Sequence, residues 1–415
     1  MEANAMIHIR SNFFNPVSAA ETAFLKDHVI SIDSGKIRSI VPFSEHHGSW
    51  EDHRSQIALP GLIDLHVHLS QYRIRGLYQP ALLPWLEKSV FPEEKRSRDP
   101  EFARRLSRDF YTELLRKGTT FSVIYTAPYR EAADAAFEMA SKMGIRCKIG
   151  MTMMDRNAPD DLLQTTDYAL KHSIELAQTW QDPFLGYIFT PRFAPTCSTT
   201  LMRETGAYAA KHKAFIQTHL SENPDEIAWV KEIFGKDSYT QVYADFGILS
   251  PRTILGHAIH LSDTELDILR DSKACVAHCP DSNFYLKSGE FALRRIAEKK
   301  IPFALGSDVG AGTTLNMLYH AKSMNYRQSK DPILASEMLY RVSLGSAKIL
   351  SLEDRIGSLD PGKDADLIFL DAPEGFDISY DSLAQAFFLS DDFAVRRVMT
   401  LGTDRLTKKI KSQNR

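Results

Sequence analysis

Between Pro60 and Leu352 the chain alternates short, strand-forming apolar runs with longer helical stretches, and this alternation restricts its fold more than any other feature. The candidate strands are Gly61–His66, Thr119–Tyr125, Arg146–Met151, Leu185–Thr190, Phe215–His219, Thr253–His257, Ala274–His278 and Phe303–Ser307. Helical candidates between them include Phe102–Arg116, Ala132–Lys142, Leu201–Lys211, Ala228–Phe234 and Ser262–Asp271. Strands that alternate with helices pair in parallel. Eight such units predict an α/β fold, a (β/α)8 TIM-like barrel, whose reactive groups gather at the C-terminal ends of the strands.

The flanks read differently. Met6–Ile9, His28–Ile32 and Ile37–Val41 are strand-like, with Asp33-Ser34-Gly35-Lys36 as a turn. Beyond the barrel, Ile356–Lys363 is turn-rich and Ala365–Leu370 is a strand. Residues 1–59 and 353–415 are therefore expected to form one small β-sandwich domain, with the barrel at 60–352. The Leu83–Arg108 stretch is long for a connection inside a barrel and reads as a lid or an extra helical excursion. Its charged run Glu93-Glu94-Lys95-Arg96 reads as a solvated face, as does the basic Lys408-Lys409-Ile410-Lys411 tail.

Composition narrows the partners. A net charge of −3 gives no electrostatic case for nucleic acid or an anionic membrane. No apolar run approaches the roughly 20 residues that span a bilayer, and Met1–Arg10 lacks the apolar core of a signal peptide. Four cysteines, Cys147, Cys197, Cys275 and Cys279, do not read as a disulfide framework in so long a chain, which suits a cytoplasmic setting. Cys275 and Cys279 flank His278, but not at the usual Cys-x-x-Cys spacing of a zinc site, and read as buried strand cysteines.

The chemistry lies at the strand ends. The first candidate strand runs into His66-Val67-His68, whose histidines share a face of an extended chain. The fifth ends in Thr218-His219-Leu220-Ser221-Glu222, the sixth in Gly256-His257 with His260 beyond, and the eighth in Gly306-Ser307-Asp308. Alone, each could be a capping or surface residue. Together they place His66, His68, His219, His257 and Asp308 on one rim, a nitrogen-and-carboxylate set suited to a borderline-soft divalent ion. Glu222 stands beside that rim, where a carboxylate can move protons for a metal-activated water.

These motifs resemble the amidohydrolase superfamily. Within it they are similar to the guanine deaminases, on Pro60–His68 with Ser70-Gln71-Tyr72, Leu83-Pro84-Trp85-Leu86, Phe91-Pro92 and Thr190-Pro191-Arg192-Phe193-Ala194. The similarity continues in Gln217–Asn223, Ala277-His278-Cys279-Pro280, Ser282-Asn283 and Leu305–Val309. The resemblance implies a homodimer that hydrolytically deaminates guanine to xanthine and ammonia, by attack of water on the amino-bearing ring carbon. It implies one zinc ion per subunit, held by His66, His68, His219, His257 and Asp308. Glu222 and Asp308 would transfer protons, and His257 would help to place the water. Gln71 and Arg192 would hold the purine edge and Phe193 would lie near the ring, with His219, Glu222 and Asp308 also bordering the substrate. The fourth candidate strand ends in Thr190-Pro191-Arg192 without the bridging lysine of binuclear relatives, which favours one ion. Asp281, Phe284 and the order Gly310-Ala311-Gly312 depart from the family pattern. They keep open a deaminase of another nitrogen heterocycle, such as an oxidised guanine, a pterin or a triazine. A non-catalytic scaffold is the remaining alternative, and the intact ligand set speaks against it.

Overall fold

The computed structural model describes residues 6–79, 81–330 and 332–406; the basic 408–411 tail lies outside them. The parallel strands form two sets. Leu62–His68, Thr119–Thr126, Arg146–Met153 and Leu185–Tyr187 pair in that order, and Thr190–Pro191 adds to Arg146–Met153. Ile216–Leu220, Thr253–His257, Cys275–His278 and Phe303–Leu305 form the second set, again in chain order. The sets meet at two edges. Phe189 bridges in parallel to Ile216, and the Gln217 amide donates to the Phe189 carbonyl at 2.8 Å. At the other edge the Asp308 amide donates to the His66 carbonyl at 2.8 Å, and the His68 amide to that of Val309 at 2.7 Å.

Helices cover the outside. Pro100–Arg116, Arg130–Met143, Thr199–His212 and Asp263–Ser272 each bury an apolar stripe, as amphipathic periodicity requires. Side chains capping their first turns, such as Asp99 and Ser262, set where two of them begin. Parallel strands covered on both faces are buried throughout, and Leu62–His68 and Thr119–Thr126 are examples. Ile63, Leu65, Phe121, Val123, Ile188, Phe215 and Ile254 pack together in one inner cluster, whereas Leu62 and Val67 join the cluster under the helices.

The expected fourth strand, Leu185–Thr190, is split into Leu185–Tyr187 and Thr190–Pro191. Pro191 has no N–H to give to a ladder, and at Gly150 a Cβ would meet Thr190 Oγ1 at 1.7 Å. The termini contribute a seven-stranded sheet in the order Thr403–Asp404, Val395–Thr400, Leu367–Asp371, Glu51–Pro60, Ile7–Pro16, Thr22–Asp33 and Lys36–Pro42. Strands from both ends of the chain therefore interleave. Glu51–Pro60 was not expected, because its first half carries exposed polar residues. The reading of Leu83–Arg108 as an extra helical excursion fits: short helices Leu82–Trp85 and Phe91–Lys95 lead into Pro100–Arg116.

The charged run within it needs correction. Glu93 is 7% exposed and Glu94 is fully buried, so Glu93–Arg96 is not a solvated face. Glu94 lies four and eight residues beyond the buried Val90 and Leu86, and helical periodicity turns it inward with them. Only Lys95 and Arg96 point outward, pairing with Asp161 at 2.9 Å and Glu93 at 2.8 Å.

Candidate metal and active site

A local irregularity aims the first two histidines. Pairing between Leu62–His68 and Thr119–Thr126 shifts register between Asp64 and Val67. An extra residue of this kind turns the following side chains onto the other face. His66 and His68 thereby follow Ile63 and Leu65 to the inner side, above the inner apolar cluster. Asp64 secures the bulge, its carboxylate accepting from the His66 amide at 3.1 Å and the Ser307 amide at 2.9 Å.

Four side chains converge here. One ligand atom each from His66, His68, His219 and Asp308 lies within 4.8 Å of the others, and all four residues are buried. His68 Nε2 stands 3.2 Å from His219 Nε2, and Asp308 Oδ1 is 3.2 Å from both His66 Nε2 and His68 Nε2. Neither ring nitrogen of His66 has an aligned hydrogen-bond partner although both are buried. Ligand atoms this close, with both His66 nitrogens buried and unpartnered, fit a common central ion better than a hydrogen-bond network. His257 Nε2 is farther out, 3.7 Å from Asp308 Oδ2 and 3.4 Å from Glu222 Oε2.

Neighbours orient the rings. His219 Nδ1 is 2.6 Å from the Arg192 carbonyl oxygen. A carbonyl only accepts, so Nδ1 carries the hydrogen and Nε2 keeps its lone pair toward the site. His257 Nδ1 is oriented in the same way by Asn283 Oδ1 at 2.9 Å. Burial lowers His68 to about 4 and, helped by the neighbouring imidazoles, holds His219 well below its ordinary value. Asp308 is well below the usual carboxylate range: burial opposes this, but His66 and His68 overcome it. Neutral His68 and His219 imidazoles and an ionised Asp308 are what a divalent ion requires, so these residues fit one.

Glu222 is pushed up to about 7, mainly by burial. Ser288 Oγ donates to its Oε1 at 3.3 Å, and His260 Nε2 lies 2.7 Å from the Ser288 carbonyl. His260 thus tethers the segment that contacts Glu222 and takes no place in the ligand cluster. His278 is stacked on Phe291, ring centroids 4.2 Å apart, away from the cavity lining. All four cysteines are buried and unpaired. Cys279 nevertheless lies within ligand reach of His66, His257 and Asp308, which its spacing did not signal. Burial holds its thiol well above the ordinary range.

A cavity opens over this cluster. Gln71, Arg192, Phe193, His219, Glu222, His257 and Asp308 line it, as do His68 and Glu226. Leu82, Trp85, Leu86 and Leu286 supply apolar walls. Glu226 accepts from the Glu222 amide at 2.9 Å and so shapes the turn that carries Glu222. The departures noted in the sequence lie behind the lining. Asp281 accepts from the Thr313 amide and hydroxyl at 2.8 and 2.7 Å, tying together the loops after the last two parallel strands. Phe284 packs under the Arg327 guanidinium at 4.4 Å. A Cβ on Gly310 would meet the Gln71 carbonyl at 2.7 Å, and one on Gly312 the Ser307 carbonyl at 1.8 Å, so both positions need glycine.

Sequence reasoning missed Glu94, Asp64 and Asn283. Only Glu94 left a readable sign, its helical spacing from Leu86 and Val90.

Comparison with known proteins agrees with this geometry. Residues 57–403 match the Amidohydrolase family. Guanine deaminase of Escherichia coli is 36% identical over 97% of this chain and 93% of its own length. The solved E. coli guanine deaminase superposes with a TM-score of 0.91 at 33% identity, over 96% of this chain and 99% of that one. A guanine deaminase from C. acetobutylicum, solved with guanine in its active site, gives 0.90 at 28% identity over 96% and 99%. The chain belongs to the amidohydrolase family, alongside the guanine deaminases.

Proposed function

We propose that this protein is a zinc-dependent guanine deaminase that converts guanine and water to xanthine and ammonia, one step in purine catabolism or salvage. One observation carries the reading: Arg192, Gln71 and Phe193 line the same cavity as the His/Asp cluster and Glu222. The deaminase relatives and the guanine-bound neighbour support the choice of ring.

His66, His68, His219, His257 and Asp308 would hold a single zinc ion, the ligand atoms of His66, His68, His219 and Asp308 lying within 4.8 Å of one another. When bound, the ion makes water a competent nucleophile near neutral pH. The Arg192 guanidinium donates to the guanine carbonyl oxygen, the Gln71 amide meets the adjoining edge, and Phe193 flanks the ring. Asp308 accepts a proton from the attacking water. Glu222 passes a proton to the ring nitrogen beside the amino-bearing carbon, which makes that carbon more electrophilic. Its raised pKa suits both giving and taking a proton at neutral pH. The new C–O bond forms, Asp308 passes its proton to the amino group, the C–N bond breaks and ammonia leaves, and the hydroxyl proton returns to Glu222 as the new carbonyl forms. His257, facing Glu222 and Asp308, orients the water.

The same reading covers the architecture. The eight parallel strands of residues 60–352 close as a (β/α)8 barrel, supported by the hydrogen bonds at both edges of the two strand sets. Residues 1–59 and 353–415 make a small composite β-sandwich. Its support is the shared sheet, bulged near Asn12, and an apolar cluster of Ile9, Phe13, Ile30, Phe369 and Met399. A homodimer and a cytoplasmic location complete it; four unpaired cysteines suit the latter and exposed Tyr326 and Leu334 the former.

Ammonia release from a panel of guanine, pterins and triazines tests the substrate. Guanine is expected to be turned over fastest, with xanthine as product. Turnover of another ring in its place would overturn the assignment.

A further inference from the structure

Glu94 is fully buried, and three donors surround its carboxylate. Oε2 accepts from Arg192 Nη1 at 2.8 Å, and Oε1 accepts from Gln71 Nε2 at 3.0 Å and Ser70 Oγ at 3.3 Å. Resting on the guanine reading above, we propose that Glu94 is a positioning residue through which the cavity selects purines bearing the ring carbonyl over purines that lack it.

A carboxylate only accepts hydrogen bonds, so it must face the amide nitrogen of Gln71 and not its oxygen. The Gly310 N–H only donates, and it faces Gln71 Oε1 at 3.4 Å. Between them these groups permit one orientation of the amide. One N–H and one lone pair of Gln71 then remain for the ligand, in a set order. That order matches the carbonyl and neighbouring ring N–H of guanine, and opposes an edge with donor and acceptor exchanged. On Arg192, Glu94 engages Nη1 and leaves the remaining guanidinium N–H groups for the carbonyl oxygen. It also supplies the counter-charge for a guanidinium that is only 3% exposed. Phe91, one turn earlier in the same helical segment, stands 5.6 Å below that guanidinium, so this segment holds Arg192 from two sides.

Glu94→Gln preserves shape while removing the charge and the acceptor-only character. Two ligands without the leaving amino group read the consequence as competitive inhibitors of guanine turnover by the zinc-loaded protein. Hypoxanthine keeps the ring carbonyl and its adjoining N–H; unsubstituted purine has neither. In Glu94→Gln, the Ki of hypoxanthine and the KM for guanine are expected to rise about tenfold or more, with kcat changing less, while the Ki of purine moves less than about threefold. Glu94→Asp, which keeps an acceptor-only carboxylate, should weaken hypoxanthine less and serves the comparison if the glutamine variant does not fold. A merely structural role would weaken both ligands together. Equal loss for hypoxanthine and purine, or no change in either, overturns the assignment. A parent protein inactive on guanine overturns the reading beneath it, whereas an active parent with an unmoved ratio overturns the role of Glu94 alone.

Discussion

A Cβ on Gly256 would stand 2.7 Å from the His66 ring, and one on Gly306 would stand 2.6 Å from His66 Cβ. Glycines in the strand Thr253–His257 and directly after Phe303–Leu305 thus leave room for one imidazole to sit in the cluster. Gly256→Ala is expected to displace that ring and weaken metal binding about 10–100-fold, measured as zinc retained against a graded chelator. Unchanged retention, with circular dichroism like the parent's, would remove His66 from the ligand set. Glu222→Gln separates proton transfer from binding. It should lower kcat by about 10²–10⁴-fold while leaving zinc bound; a preserved kcat with a raised KM would make Glu222 a binding group only. The histidines and Asp308 were legible in the sequence because metal chemistry admits few residue types and they fall at strand ends. Glu94 was not, because its meaning depends on Arg192, 98 residues away. A charged quartet looks solvated until its partner is known.

Among the elements, those whose periodicity reflects burial were the most readable. Thr253–His257 was located residue for residue, and Thr119–Thr126 within one residue. Glu51–Pro60 escaped because its first half is polar and exposed without alternation, and the bulge at Asp64–Val67 because a register shift leaves no mark in composition. The strand Arg146–Met153 makes a prediction of its own. Lys148 is 7% exposed and has no carboxylate hydrogen-bonded to it among the described residues; its ammonium lies 4.8 Å from the Phe215 ring. Burial, with Arg252 nearby, lowers its pKa to about 8 from an ordinary 10.5. The unfolded chain therefore binds more protons between about pH 8 and pH 10.5, and stability contributed by this site rises with pH across that window. Below pH 8 the cost of charging Lys148 is fully present. Lys148→Met should remove it, stabilising the protein by about 1–2 kcal/mol at pH 7 after the lost cation–π contact is discounted. The gain should fade toward pH 10.5 in denaturant unfolding. A destabilised variant at pH 7 would show that the ammonium has a partner.

For the whole molecule, one buried cation joins the terminal sheet to the parallel strands. Arg146 donates to Asp364 and Asp366 at 2.5 Å each, and Lys36 reaches Asp364 at 2.6 Å from the other end of the chain. Arg146→Met leaves Asp366 buried without its cation and should cost about 3–5 kcal/mol, read as a lowered denaturation midpoint. A loss below about 1 kcal/mol would place the cluster among surface pairs. The alternation of strands and helices made the parallel core legible from the start, and turn residues near both termini hinted at a shared second unit. How the two are tied was not legible, since ion pairs between distant segments have no local signature. The measurement that tests the account most directly is a zinc titration of chelator-stripped protein, followed as xanthine formed from guanine. Turnover is expected to rise in proportion to added zinc and to saturate at one equivalent per chain. Full activity in the stripped protein, saturation only at two equivalents, or no xanthine at full zinc occupancy would contradict it.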